Sequence, residues 1–272
     1  MTKLFQKYQV AILAALESSE AIMEIYNDEF EKIIKEDGSP VTKADLSSSK
    51  IIAKHLKTTD IPITGEEIEK EPFEIRSQWE ENWCVDPLDG TKEFIKKNGE
   101  FVINIAHITK GKPAFGLIAS PVNRQIILGN KASGAFQTSY EDALDPSKWK
   151  KLEQLPKVNS PIHIIASRSH YSGNLLKLAQ YIEQNYGAFI STGMGSALKF
   201  FDLVKGTADV YPRFAPTMEW DIAAGHAIYE AIGGEVIDVK TGKSLVYNKK
   251  ELKNPYFVAS KASMQLSMEF FQ

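Results

Sequence analysis

The residues best placed to do chemistry lie in Trp83-Cys84-Val85-Asp86-Pro87-Leu88-Asp89-Gly90-Thr91. An apolar strand runs up to Asp86, and Pro87 cannot donate to a continuing ladder. Asp89 and Gly90 then turn the chain toward a short helix. Carboxylates at Asp86 and Asp89, in a tight turn at a strand end, can converge on one point, and the Leu88 carbonyl between them is free of a strand partner. Oxygen donors alone suit a hard cation such as Mg²⁺. The amides of Gly90, Thr91 and Lys92 would face outward at the helix start, where an anion is favoured. The same string also reads as a Pro-Asp-Gly turn in which Asp89 merely caps a helix.

Three more acidic positions sit at element ends. Gly65-Glu66-Glu67 follows directly on a strand, although Glu69, Glu71 and Glu74 continue its acidic character, and taken alone it reads as a solvated turn. Trp220-Asp221-Ile222-Ala223-Ala224-Gly225 opens a helix with Asp221 at its cap, and Pro40-Val41-Thr42-Lys43-Ala44-Asp45 ends with an Asp poised to cap the next. Structural capping explains either of these on its own. Cys84 has no phosphate loop of the C-x₅-R kind after it, since no arginine follows until Arg124. It reads as a small buried strand residue. The histidines (His55, His107, His163, His170, His226) show no H-x-x-x-H pairing for zinc. His226 reads as structural.

The elements that must position these groups follow from periodicity. Leu4, Phe5, Tyr8, Ile12 and Leu16 mark one helical stripe, and Ala21, Ile22, Ile25 and Phe30 a second. Asp37-Gly38-Ser39-Pro40 breaks the pattern. A helix with Leu46, Ile51, Ile52 and Leu56 follows Asp45, and Ile61 to Thr64 is a short strand. Runs at 101–108, 114–120, 124–129 and 134–138, separated by Gly, Pro and Asn, suit an antiparallel meander. Residues 139–160 are polar and read as a surface connection. Strands at 162–166, 188–191 and 208–211 then alternate with helices at 175–186, from about Ser196, and from Asp221 to Gly233-Gly234. Strands at 235–239 and 256–259 and a last helix complete the chain. Antiparallel strands first and alternating α/β later imply layered sheets and helices.

With 272 residues, 43% hydrophobic and 25% charged, the chain has the balance of a folded protein with one large core or two joined halves. A formal charge of -3 excludes the basic field that long nucleic acid requires, while leaving room for a small phosphorylated ligand. One cysteine rules out an intrachain disulfide and a thiolate zinc cage, which fits a reducing, cytoplasmic setting. No segment approaches the roughly 18 apolar residues of a membrane span. A peripheral contact at the inner face of the cell membrane is left open.

In their order along the chain, Pro40–Asp45, Gly65-Glu66-Glu67, Asp86–Thr91 and Trp220–Gly225 resemble the motifs of the inositol monophosphatase superfamily. The resemblance spans almost the whole sequence. It implies an α+β / α/β fold, a layered αβαβα sandwich, with an N-terminal half (1–160) holding most metal ligands and a C-terminal half (161–272) holding substrate-binding elements. It also implies ligands for two or three Mg²⁺ ions at Glu66, Asp86, Asp89 and Asp221 and at the Leu88 carbonyl, with Asp86 bridging. Li⁺ and Ca²⁺ are then expected to inhibit. Thr91 would orient the attacking water, Asp45 would accept a hydrogen bond from Thr91, and the Gly90 and Thr91 amides would hold phosphate. Without cations, clustered carboxylates should be loosened or partly protonated.

Several stretches resemble the bisphosphate nucleotidase branch in particular: Asp89–Ile95, Asn98-Gly99-Glu100-Phe101, Gly193–Phe200, and Tyr211-Pro212-Arg213 leading to Pro216–Asp221. Physically, Gly193 and Gly195 allow close backbone approach, and Ser196 with Lys199 can reach a second anionic group, with Arg213 adding charge nearby. Alone, however, Gly193-Met194-Gly195 reads as a plain loop and helix start and Lys199 as a solvated helix residue. The implied reaction converts 3'-phosphoadenosine 5'-phosphate to AMP and phosphate, with the sulfated relative of that nucleotide as a second substrate. Nucleotide contacts are expected at Thr192, Ser196, Lys199 and Glu219. The alternatives are an inositol or broad sugar-phosphate phosphatase and a nucleotide-binding sensor without turnover. The resemblance also implies a homodimer as one assembly open to the chain.

Overall fold

Near-continuous burial of the strands in the middle of the chain builds the larger sheet, buried on both faces. The structure, a computed structural model, describes residues 1–28, 32–34, 40–155, 157–166, 173–268 and 271. Its first part runs α1 (Thr2–Asn27), β1 (Lys32–Ile34), β2 (Pro40–Thr42), α2 (Lys43–Leu56), β3 (Ile63–Gly65), α3 (Phe73–Arg76), β4 (Glu81–Asp89) and α4 (Thr91–Ile95). The meander follows as β5 (Val102–Thr109), β6 (Lys112–Ser120), β7 (Gln125–Asn130) and β8 (Gly134–Ser139), closed by β9 (Lys150–Lys151). Strands β3 to β9 form one seven-stranded sheet in chain order, with only β3 and β4 parallel. Along β5, Ile103 and Ile105 face α1 and α2, while Val102, Ala106 and Ile108 face the opposite core. That two-residue period is what a sheet buried on both faces demands.

The second part gives β10 (Ile162–Ala166), α5 (Gly173–Tyr186), β11 (Phe189–Gly193), α6 (Lys199–Lys205), β12 (Val210–Arg213), α7 (Glu219–Glu230), β13 (Gly234–Asp238) and β14 (Phe257–Lys261). These strands form a five-stranded mixed sheet ordered β11-β10-β12-β14-β13. Ile162, Ile164 and Ala166 pack against Leu175, Leu178 and Ile182 of α5, whereas Ile165 points into the core shared with α6 and α7. The layers are therefore α1/α2, the larger sheet, α6/α7, the smaller sheet and α5, an αβαβα sandwich.

Helix α7 lies closest to the larger sheet because Gly116 of β6 gives it room. A Cβ there would lie 2.0 Å from the Ala224 carbonyl oxygen. The close approach brings the first turn of α7, with Asp221, to the end of β4.

Several expectations are corrected. The two N-terminal stripes belong to one 26-residue helix. Ser18 and Ser19, which interrupt the apolar pattern, are buried, with Ser19 Oγ donating to the Ala15 carbonyl at 2.7 Å and Ser18 Oγ to that of Ser48 at 3.4 Å. Thr42, not Asp45, caps α2, and Met218, not Asp221, is the cap residue of α7; each Asp sits at the third helical position and accepts the cap's backbone N–H. Strand β4 does not stop at Pro87, since pairing resumes at Asp89 opposite Val102 across a bulge. The 139–160 connection carries buried Tyr140, Ala143, Trp149 and Leu152 and a strand of its own. A 3-10 turn at Ala262–Met264 stands where the last helix was expected to begin. Phe30, the break at 37–39 and His170 lie outside the described residues.

Candidate active site

The site begins with the bulge in β4. Asp86 is buried, and its Oδ1 accepts the Leu88 backbone N–H at 3.0 Å, curling the chain back over Pro87. Ser48 of α2 donates its hydroxyl to the Pro87 carbonyl at 2.7 Å and fixes the curl from the helical side. Gly90 then takes φ +104°, where any Cβ would lie 2.9 Å from the Glu100 carbonyl and 3.2 Å from Ser196 Cβ, so only glycine fits. The turn leaves Thr91 at the start of α4, beside α2.

Thr91 Oγ1 donates to Asp45 Oδ1 at 2.8 Å, and Asp45 Oδ2 accepts the Thr42 N–H at 2.7 Å and its hydroxyl at 2.6 Å. Burial raises the Asp45 carboxyl above the usual range despite these donors. Asp89 Oδ2 accepts the Ala197 N–H at 2.5 Å and Asn104 Nδ2 at 3.3 Å, tying β4 to the Gly193–Ala197 turn. Asp221 Oδ2 accepts the Met218 N–H at 2.9 Å. Glu66 follows the end of β3, where its N–H bonds the Val85 carbonyl at 3.2 Å.

Glu66, Asp86, Asp89 and Asp221 line one cavity of about 680 Å³, together with Leu88 and Thr91. Burial, then the neighbouring carboxylates, push the Asp86 carboxyl well above the ordinary range. Asp221 is raised well above it by burial and by Asp89, and Asp89 itself by burial, partly offset by Lys199. Carboxylates that raise one another's pKa in a shared cavity are a site short of positive charge, and an all-oxygen donor set fits a divalent hard cation. Among the described residues no three acidic, histidine or cysteine side chains are already gathered as a finished cage. The donors surround a space instead.

A second cavity of about 240 Å³ shares Asp89, Gly90 and Asp221 with the first and adds Ser196, Lys199 and Arg213. Lys199 is 2% exposed, and its Nζ donates to the Met194 carbonyl at 3.0 Å and the Ser196 carbonyl at 2.5 Å. Burial lowers its pKa to about 8. Arg213 donates from Nη2 to the Pro216 carbonyl at 3.1 Å, while its buried Nε has no hydrogen-bond partner among the described residues.

Two expected contacts are not brought here. Thr192 lies exposed on edge strand β11, where its hydroxyl bonds His163 Nε2 at 2.8 Å. Glu219 is buried behind the cavity wall and accepts the N–H groups of Asn248 at 2.6 Å and Lys249 at 3.1 Å. Sequence reasoning missed Ser48 and Asn104. Asn104 carried a signal, as one polar residue within the apolar run Val102-Ile103-Asn104-Ile105.

Residues 4–267 match the sequence pattern of the inositol monophosphatase family. The chain belongs to that family. As an inositol monophosphatase family member it is an enzyme of a metal-dependent hydrolase family, for which Mg²⁺ is typical. It is 39% identical over 254 residues to the 3'(2'),5'-bisphosphate nucleotidase CysQ of Salmonella typhimurium, covering 89% of this chain and 95% of the relative. The crystal structure of CysQ from Bacteroides thetaiotaomicron, described as a bacterial member of the inositol monophosphatase family, superposes with a TM-score of 0.83 at 36% identity, covering 94% of this chain and 97% of that one. The crystal structure of an IMPase/NADP phosphatase complexed with Mg²⁺ and phosphate shares the fold at a TM-score of 0.75 and 18% identity, over 98% of this chain and 95% of that one. No helix among the described residues is long and apolar enough to cross a membrane.

Proposed function

We propose that this family member is a Mg²⁺-dependent 3'(2'),5'-bisphosphate nucleotidase that hydrolyses 3'-phosphoadenosine 5'-phosphate to AMP and phosphate, and accepts the sulfated form of that nucleotide. One observation carries the reading: an acidic cavity with a paired Thr91 and Asp45 opens directly onto a smaller cavity lined by Lys199 and Arg213. A substrate with two separated phosphates matches an acidic space adjoining one in which Lys92, Lys199 and Arg213 can meet a second anionic group. The 39% identity to a bisphosphate nucleotidase over most of both chains supports the same choice.

Glu66, Asp86, Asp89, Asp221 and the Leu88 carbonyl would hold two or three cations. When bound, these would draw charge from the phosphate oxygens and make a nearby water more acidic. Li⁺ and Ca²⁺, competing for the same donors without that chemistry, would inhibit. The remaining work falls to the chain. Thr91 commits its hydroxyl proton to Asp45, so its oxygen lone pairs face outward to accept from a water and hold that water in line with phosphorus. The water oxygen bonds to phosphorus as the bond from phosphorus to the 3' oxygen breaks. One water proton passes by way of Thr91 toward Asp45, whose raised pKa makes it the better acceptor, and the 3' oxygen leaves with a proton from solvent. Gly90 lets the chain approach the phosphate closely, Lys199 and Arg213 set the second anionic group, and Ser196 adds a hydroxyl.

The test is phosphate release from 3'-phosphoadenosine 5'-phosphate and from inositol 1-phosphate, in Mg²⁺ and after chelation. Rapid, chelator-sensitive release from the nucleotide alone is expected. Preference for inositol phosphate would overturn the substrate, and silence on both with cation bound would overturn catalysis. Asp89→Asn should abolish turnover in a folded protein, and retained activity would sink the assignment.

A further inference from the structure

Beside the acidic cavity lies a polar bridge, buried at Arg76 and Glu219 and half-buried at Asn248, whose residues line neither cavity. Arg76, in α3, is 4% exposed. Its Nε donates to the Glu71 carbonyl at 2.9 Å, Nη1 to Asn248 Oδ1 at 2.8 Å and the Lys249 carbonyl at 3.1 Å, and Nη2 to the Lys250 carbonyl at 3.2 Å. Asn248 returns the bond through Nδ2 to the Arg76 carbonyl at 2.7 Å. The Asn248 and Lys249 amides both end on the Glu219 carboxylate, which Lys249 Nζ also reaches at 2.5 Å.

The two ends of this bridge matter. Glu71 and Arg76 belong to the segment that leaves Glu66, while Glu219 opens α7 two residues before Asp221. An exposed tether joins the same two elements, with Lys70 Nζ donating to the Glu66 carbonyl at 2.5 Å and lying 5.2 Å from the Trp220 ring centre. Glu66 and Asp221 are like charges on separate elements, so their repulsion opens the site unless something independent of the cation holds them.

We propose that the Arg76–Asn248–Glu219 bridge is a positioning device that fixes the span between Glu66 and Asp221, and thereby the affinity of the acidic cavity for divalent cations. It rests on reading that cavity as a cation site. The three residues position the carboxylates and meet no substrate. Part-buried, charge-assisted hydrogen bonds with every arginine nitrogen engaged are stiff enough for this.

Asn248→Gly is the sharpest variant, because Asn248 stands at φ +57°, which glycine adopts freely, and only the two side-chain bonds to Arg76 are lost. Calorimetric titration with Mg²⁺ alone, without substrate, should show affinity weakened about tenfold or more, the range in which groups supporting metal ligands act. The Mg²⁺ concentration for half-maximal turnover should rise in step, while kcat at saturating Mg²⁺ stays within about threefold of the unmodified protein. Glu219→Gln, which keeps one acceptor oxygen for the Asn248 N–H but turns an amide NH2 toward the Lys249 N–H and ammonium, should weaken Mg²⁺ affinity at least as much and serves if the glycine variant does not fold. A folded variant with a lowered Tm and unchanged Mg²⁺ affinity makes the bridge ordinary scaffolding and overturns the proposal. Absence of Mg²⁺ binding in the unmodified protein overturns the cation reading itself, and is distinguished by appearing before any substitution.

Discussion

The pairing of Thr91 with Asp45 illustrates how two ordinary residues acquire a task. A threonine at a helix start commonly turns its hydroxyl to the local backbone. Here the Asp45 carboxylate, held by both donors of Thr42, takes that hydroxyl at 2.8 Å and leaves the Leu88 carbonyl 3.4 Å from it. Thr91→Val keeps the shape and removes the donor. Turnover should fall about 10²-fold to 10⁴-fold, the usual worth of a positioned proton-transfer group, with little change in Mg²⁺ affinity. Thr91→Ser should restore most of it. Steady-state kinetics on the two variants decide the matter, and a Thr91→Val protein with normal kcat would remove Thr91 from the reaction.

Elements bring these residues together through close contacts that single atoms can spoil. Helix α7 meets β6 at Gly116, where an added methyl would lie 2.0 Å from the Ala224 carbonyl oxygen. Neither partner is a flexible side chain, so the helix itself must move. Gly116→Ala should cost about 1 to 3 kcal/mol, as overpacking of a filled core does. Because α7 carries Asp221, the same variant should also weaken Mg²⁺ binding. Urea unfolding and Mg²⁺ titration of one preparation check both, and a loss of stability with intact cation affinity would show that α7 yields away from its N-terminal turn.

At the scale of the whole molecule, the carboxylate cluster makes stability depend on pH and on cations together. Asp86 and Asp221 have folded pKa values well above their ordinary 3.8, so the folded state binds more protons than the unfolded one. Their contribution is fully present below 3.8 and is lost as pH rises through the raised folded values. In chelator, Tm should therefore fall as pH is raised from the acid side toward neutrality, by about 2 to 4 °C for each kcal/mol lost. With Mg²⁺ the fall should vanish, since the cation replaces the protons and binds more tightly as they leave. Paired thermal melts across that range provide the check. A chelated protein whose Tm curve parallels the Mg²⁺ curve would mean that the four carboxylates do not share their charge.

Composition and periodicity by themselves determined the layered fold, the meander and the alternating second half, because apolar residues repeating every two or every three to four positions admit few other burials. Pro-Leu-Asp-Gly-Thr writes its own turn at Asp89 and Thr91, whereas Glu66, Asp221 and Asp45 read as a solvated turn or as helix caps until their order along the chain marked the family resemblance. Tertiary structure alone decided which long-range neighbours those turns met. It put Ser48 on the Pro87 carbonyl and Asn104 on Asp89, it turned Thr192 away to the edge of the smaller sheet, and it sent Glu219 backward to the 248–249 amides. Each of those outcomes depends on a hydrogen-bonding partner 15 to 39 positions away in the chain. A local pattern carries no record of such a partner, whereas a folded core pairs the large majority of its buried polar groups.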